Sequence, residues 1–202
     1  PGVAKTREYG PSAGAVIMRG AAPTDSRILI DGVEVPYLFH FQQYASVIHT
    51  RMLDSVDVYP SAFGASYGDS IGGIVSVRTR TTEDRQARGA ANMNLIMGGV
   101  YGSVPLDDTS VTVSGRRSYA DLLGSSSDQY TDWPVFWDYL SRYDWSASDD
   151  RKLALTLLGA RDRYGRYATD TETLDPYERT QNQDFVYDRT YHVLNLRYDG
   201  RA

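Results

Sequence analysis

Polar and apolar residues alternate with period two through most of the second half of the chain, the pattern of strands with one apolar face. It is clearest over residues 135–147, where Trp137, Tyr139, Ser141, Tyr143, Trp145 and Ala147 share one face and Asp138, Arg142 and Asp144 the other. Residues 110–118 set Val111 and Val113 against Thr112, Ser114 and Arg116. Residues 152–162 put Leu153, Leu155, Leu157 and Gly159 on one face, and residues 185–197 lead to Leu194, Leu196 and Tyr198 opposite Val193, Asn195 and Arg197. Upstream, residues 88–97 align Met93, Leu95 and Met97 against Asn92 and Asn94; Gly98-Gly99 is predicted as a hairpin turn and residues 100–104 as the returning strand. This makes six strands. The tight polar turns at 105–109 and 148–151 are two strands apart and so fall on one side, while the long polar connections 119–134 and 164–184 fall on the other.

The first 80 residues have a different texture. Residues 14–20, 28–30, 56–59 and 74–80 read as short strands, Asp31-Gly32 as a turn, and residues 42–48 as a segment with helical spacing. Gly64, Gly68, Gly72 and Gly73 are placed where the backbone turns sharply or passes close to another wall. A compact α+β unit ending near Arg80 is expected, then a charged linker at residues 81–88.

Several short motifs occur in order and with fitting spacing: Arg19-Gly20, Ile30-Asp31-Gly32-Val33, Leu53-Asp54-Ser55-Val56-Asp57-Val58, Tyr67-Gly68, and Ile71-Gly72-Gly73-Ile74-Val75-Ser76-Val77. The stretch resembles the plug domain of TonB-dependent outer-membrane receptors. It departs from many members at Tyr59-Pro60-Ser61, where they have glycine, which touches the subfamily more than the family.

The resemblance implies an α+β plug domain (1–80), a linker (81–88) and antiparallel transmembrane β-barrel strands (89–202), about six of the roughly 22 found in plugged transporters. Six strands alone leave two unpaired edges in lipid, so the sequence is expected to be part of a longer chain. The implied function is import of a scarce ligand (a siderophore–metal chelate, a vitamin or an oligomer) across a Gram-negative outer membrane, with no covalent chemistry. Outer-membrane lipid and a TonB-type periplasmic energy-transducing protein are the implied partners. The alternatives are a non-transporting outer-membrane scaffold or surface-assembly protein of the same architecture, and a soluble β-rich enzyme or binding module. Glycines Gly20, Gly32, Gly68, Gly72 and Gly73 are expected to be structural, and Trp137, Tyr139, Tyr143 and Trp145 to form a lipid-facing girdle. The eight steps from Trp137 to Trp145 span about 26 Å of strand, or about 20 Å of membrane normal at ~40° tilt, close to the apolar band of outer-membrane barrels.

Composition narrows the field. Sixteen tyrosines and three tryptophans at a mean hydropathy of −0.44 suit amphipathic aromatic surfaces, and no run reaches the ~20 apolar residues of a membrane helix. The formal charge of −5, with basic residues dispersed, argues against nucleic acid. Without cysteine there is no thiolate nucleophile, disulfide or Cys-held zinc. The spacing of His40, His49 and His192 matches no metal-ligand pair, and no cofactor is expected. Gly64, Gly68 and Gly72 have small-xxx-small spacing but no apolar helix around them, and Gly72-Gly73 lacks the Lys-Ser/Thr of a phosphate loop. No Gly-x-Ser-x-Gly elbow occurs. Asp170, Glu172 and Asp175 lack the order of an EF-hand and read as a solvated loop, and Arg78, Arg80, Arg85 and Arg88 as a solvated crossing. Asp138, Arg142 and Asp144 read as polar lumen residues in reach of the plug. The aromatic–amide run at residues 37–43 carries two readings: a ligand vestibule, or Phe39 and Phe41 as core anchors. On the first, with the family's plug apex as guide, Arg19, Tyr37, Phe39, His40 and Gln42 face the ligand.

Overall fold

The computed structural model describes residues 3–5, 16–22, 25–41, 45–68, 70–82, 86–123, 134–148, 150–166 and 185–200. At its start β1 (Val3–Lys5) pairs antiparallel with β2 (Val16–Met18). Strand β3 (Ser26–Ile30) then folds back on β4 (Val33–Glu34) through Asp31 and Gly32, whose φ angles of 49° and 86° are those of a two-residue primed turn. A second small hairpin joins β5 (Phe39–His40) to β6 (Ala45–Ser46). After a single 3-10 turn, β7 (Leu53–Tyr59) and β8 (Gly73–Thr79) complete a four-stranded sheet of order β4-β3-β8-β7, with β3 and β8 parallel. The buried run of β8, Ile74, Val75 and Val77, is what a strand covered on both faces requires.

The remaining strands form one antiparallel sheet in sequence order: β9 (Arg88–Met93), β10 (Met97–Leu106), β11 (Thr109–Ser118), β12 (Val135–Ser148), β13 (Arg151–Arg166) and β14 (Phe185–Gly200). A short helix, α1 (Ala120–Leu123), follows β11. As predicted, the connections after β10 and β13's partner β12 are tight and lie at the same end of the sheet. The long connections, residues 124–133 and 167–184, lie outside the described residues, as do Asp170, Glu172, Asp175 and Arg85.

Two expectations need correcting. Residues 45–48 are not helical: Phe39 pairs with Ser46 and His40 with Ala45, and the Val47 N–H donates to the Leu38 carbonyl at 2.8 Å, so a cross-hairpin ladder satisfies this backbone. Residues 42–44, Gln42 among them, are outside the described residues. Nor does Gly98-Gly99 turn. Both lie within β10, opposite Met93 and Asn92, and the chain reverses at residues 94–96. There Asn94 Oδ1 accepts from the N–H groups of Ile96 and Met97 at 3.0 and 2.9 Å, an Asx turn that the Gly-Gly pair masked. Gly99 serves packing instead, because a Cβ would stand 2.6 Å from Arg116 Cγ.

The wall formed by β9–β14 has two unlike faces. The inner one carries Phe136, Asp138, Leu140, Arg142, Leu158, Ala160, Asp162 and Tyr191, all buried. Leu140, Leu158, Ala160 and Tyr191 join Ile28, Ile30, Val47, Ile48, Met52 and Val77 in one hydrophobic cluster, so the N-terminal sheet and the wall share a core. The outer one presents Val104, Val113, Tyr143, Trp145, Leu155, Leu157, Leu194, Leu196 and Tyr198 uncovered, with Leu194 68% exposed. Cross-strand registers place these in rows, such as Val104, Val111, Tyr143, Leu155 and Leu196.

Candidate functional site

The polar residues of the inner face meet the N-terminal sheet in two clusters. The first is built on the β5–β6 hairpin. His40 is wholly buried (0% exposed), its ring stacked on Phe136 at 4.4 Å between centroids. Its Nε2 lies 3.1 Å from Asp138 Oδ2, and its Nδ1 meets Asp162 Oδ1. Each carboxylate has a second cation: Arg116 Nε donates to Asp138 at 2.9 Å, and Arg189 Nε and Nη2 to Asp162 at 2.9 and 2.8 Å. The same arginines hold the hairpin backbone, Arg116 donating to the Ser46 carbonyl and Arg189 to that of Phe39 at 3.3 Å. The Arg189 guanidinium lies over the Tyr37 ring at 3.5 Å, and the Tyr191 hydroxyl donates to the Tyr37 carbonyl at 3.3 Å. Burial alone lowers the His40 pKa, but the hydrogen bonds to Asp138 and Asp162 and their charges outweigh it and raise it. Burial pushes the Tyr37 hydroxyl far up, so it stays neutral.

The second cluster lies four residues along β12, about 13 Å away. Asp31, at the β3–β4 turn, accepts from the Thr79 N–H at 2.9 Å and the Thr79 hydroxyl at 2.5 Å, clasping the end of β8. Arg142 of the wall reaches this pair, donating to Thr79 Oγ1 at 2.7 Å and Asp31 Oδ2 at 3.2 Å, and is itself held by Asp144 at 2.8 Å. Asn195 donates to the Asp31 carbonyl at 3.1 Å. Thr82, Ser103 and Thr112 form a hydroxyl trio close by, with oxygens 2.7–3.1 Å apart.

Arg19 is exposed, takes a positive φ of 54°, and lines a cavity of about 520 Å³ with Pro60, Phe63 and Ile71. Tyr37 and His40, expected to face a ligand, instead point into the wall, at 2% and 0% exposure. Phe39 is partly buried against the shared core. Gly73 is needed for close approach, since a Cβ would stand 2.3 Å from Met18 Sδ and 2.8 Å from the Tyr59 carbonyl; Gly72 is similarly pressed by Ser26 and Asp25. Gly20 and Gly32 have positive φ. Gly68 has neither feature, with φ of −53° and nothing within 4 Å of a would-be Cβ, and its carbonyl accepts from Arg27. Trp137, Tyr139, Tyr143 and Trp145 lie on the outer face; Trp137 stacks on Tyr139, whose hydroxyl is 2.8 Å from His192 Nδ1. Gly159 makes room for that contact.

The sequence reading missed Arg116, Asp162, Arg189, Asp31 and Thr79 as contact residues. The signal was present: Arg116, Asp138, Arg142, Asp162 and Arg189 fall on the strand parity opposite Val113, Tyr143, Trp145, Leu155, Leu157, Leu194 and Leu196, where a buried charge needs a partner. Among the described residues no group of three or more His, Asp or Glu gathers with metal-holding geometry, and no helix is long and apolar enough to cross a membrane.

Residues 1–74 match the family described as TonB-dependent Receptor Plug Domain. Among curated protein sequences none matches. Of solved structures, the FrpB iron transporter from Neisseria meningitidis is 17% identical over 91% of this chain and 31% of its own, with a TM-score of 0.61. The siderophore receptor PirA from Acinetobacter baumannii is 17% identical over 89% of this chain and 30% of its own, at 0.56. A mutant of the ferric enterobactin receptor PfeA from Pseudomonas aeruginosa is 16% identical over 93% and 32%, at 0.51. At these identities the likeness is one of fold, and the chain spans about a third of each structure's length.

Proposed function

We propose that this chain, whose residues 1–74 match the TonB-dependent receptor plug domain, is the plug and first wall strands of an outer-membrane receptor importing a scarce ligand. The observation that carries the reading is the two-faced wall. Its inner face is ion-paired and packed to a folded insert, while its outer face presents uncovered leucine, valine, tyrosine and tryptophan. A water-soluble sheet hides such a face, whereas a barrel strand turns it to lipid. The outer edges of β9 and β14 are unpaired among the described residues, and a closed barrel, on this reading, is what would pair them.

In this reading the ligand binds on the outward side of the plug, near the long connections, and a TonB-type periplasmic protein supplies the energy that displaces part of the plug. The Arg19 cavity is a candidate contact surface. The named ligands of the fold relatives make a ferric siderophore the first class to test. The test is uptake of radiolabelled ferric siderophores by cells carrying or lacking the full-length gene, with and without the energy-coupling protein. Uptake that needs both genes supports the transporter. Outer-membrane insertion with no uptake of ferric chelates, vitamins or oligosaccharides favours a scaffold that kept the architecture.

A further inference from the structure

The two clusters that fasten the plug to the wall differ in one chemical respect. The Arg142 cluster is built of aspartates, an arginine and a threonine hydroxyl, with no imidazole among them. The other has an imidazole at its centre. Both ring nitrogens of His40 face carboxylate oxygens, and a neutral imidazole carries a single N–H, so one nitrogen would then present a lone pair to a dry carboxylate. The imidazolium donates to both. It also completes an alternating row of charges across four strands, Arg116 of β11, Asp138 of β12, Asp162 of β13 and Arg189 of β14, with the plug's own His40 in the middle. The other titratable groups around this row are Tyr37 beside His40 and Tyr187 and Tyr191 on β14.

We propose that His40 is a proton-binding latch: its imidazolium holds the β5–β6 hairpin on the wall, and loss of that proton frees the hairpin while the Arg142 cluster keeps the far end of the plug attached. The plug is thus hinged, with one fastening centred on an imidazole and one without. A histidine whose pKa is raised on folding contributes fully below its unfolded value of about 6.5, and the contribution disappears as pH rises through the higher folded value. The latch therefore weakens on the alkaline side. His49 has the opposite sign, since burial lowers its pKa, so it acts only on the acid side and does not interfere above about pH 6.5. The latch rests on the plug-and-wall reading proposed above but on no particular ligand.

The test is hydrogen exchange on the full-length receptor in detergent micelles from pH 6 to 9.5, corrected for the intrinsic rate, comparing residues 45–48 with residues 74–79. The expected result is at least a tenfold loss of protection at 45–48 across the titration, with 74–79 unchanged. In His40→Gln, 45–48 is expected to exchange fast at every pH. Asp138→Asn, which removes one carboxylate, should move the transition to lower pH and serves if His40→Gln fails to insert. Nitrogen-15 NMR of labelled histidine, assigned by difference against either variant, should show both His40 nitrogens protonated at pH 7. A His40 that is neutral at pH 7, protection at 45–48 that ignores pH, or both segments loosening together would each overturn the latch.

Discussion

Replacing Arg142 with methionine tests how the lower fastening works. Its side chain is 3% exposed and that of Asp31 6%, so the two charges are out of water and depend on each other. Breaking a buried pair by removing one partner costs about 3–5 kcal/mol, because the remaining charge is left uncompensated. Here the lower end applies: Asp31 keeps the N–H and hydroxyl of Thr79 at 2.9 and 2.5 Å, and Asp144 is partly exposed. Arg142→Met is therefore expected to cost about 3 kcal/mol in the opening of the β3–β8 end, close to a hundredfold in an equilibrium constant. Hydrogen exchange at the Asp31 amide, which donates to the Val77 carbonyl, and at the Thr79 amide reads this directly in the full-length receptor. Asp31→Asn removes the stranded charge, so the double variant should recover about 1–2 kcal/mol relative to the sum of the singles. Acceleration below fivefold in Arg142→Met, or strict additivity in the double variant, would show that the two buried charges do not depend on each other.

Gly73→Ala forces a Cβ to within 2.3 Å of Met18 Sδ and 2.8 Å of the Tyr59 carbonyl; the sulfur can yield but the backbone cannot, so a loss of about 1–3 kcal/mol is expected in denaturant unfolding of the plug, and an unchanged midpoint counts against it. Leu157→Arg places a guanidinium in the middle row of the outer face and should cost about 2–4 kcal/mol of barrel stability in lipid bilayers; a neutral result means this face does not meet hydrocarbon. His49 stacks on Tyr101 and is buried, which lowers its pKa. A lowered histidine contributes above about pH 6.5 and loses its contribution as pH falls further, so His49→Gln should flatten the acid limb of plug stability measured between pH 7 and 4.5.

The wall was legible because its periodicity is consistent: on β12 Phe136, Asp138, Leu140 and Arg142, and on β13 Ala154, Thr156, Leu158, Ala160 and Asp162, are buried at every second position, which is what period two means physically. The β3–β4 turn was equally plain, since Asp-Gly is the pair that accepts two positive φ angles. Where local sequence misled, a longer-range contact had decided the matter. The spacing at residues 42–48 suggested a helix, but Val47 and Ile48 are both buried in a core that the wall supplies, so burial did not follow a helical stripe. Gly98-Gly99 suggested a turn, but the side chain of Asn94 closes the reversal a few residues earlier, and Gly99 is small because Arg116 crosses it. The contacts of His40 are not legible in the sequence because its two carboxylate partners lie 98 and 122 residues further on, a juxtaposition that only the assembled fold makes visible.

A wall that is a membrane strand set has lipid on one side and the plug on the other. Single cysteines at positions 153 to 158 of β13, spin-labelled in the full-length receptor in liposomes, measure it most directly through collision rates with oxygen and with a water-soluble nickel chelate. A period of two is expected, with oxygen contact high and nickel contact low at 153, 155 and 157, and both low at 154, 156 and 158, where the side chains meet the plug side. Nickel accessibility at 155 and 157, or no alternation along the strand, would contradict it.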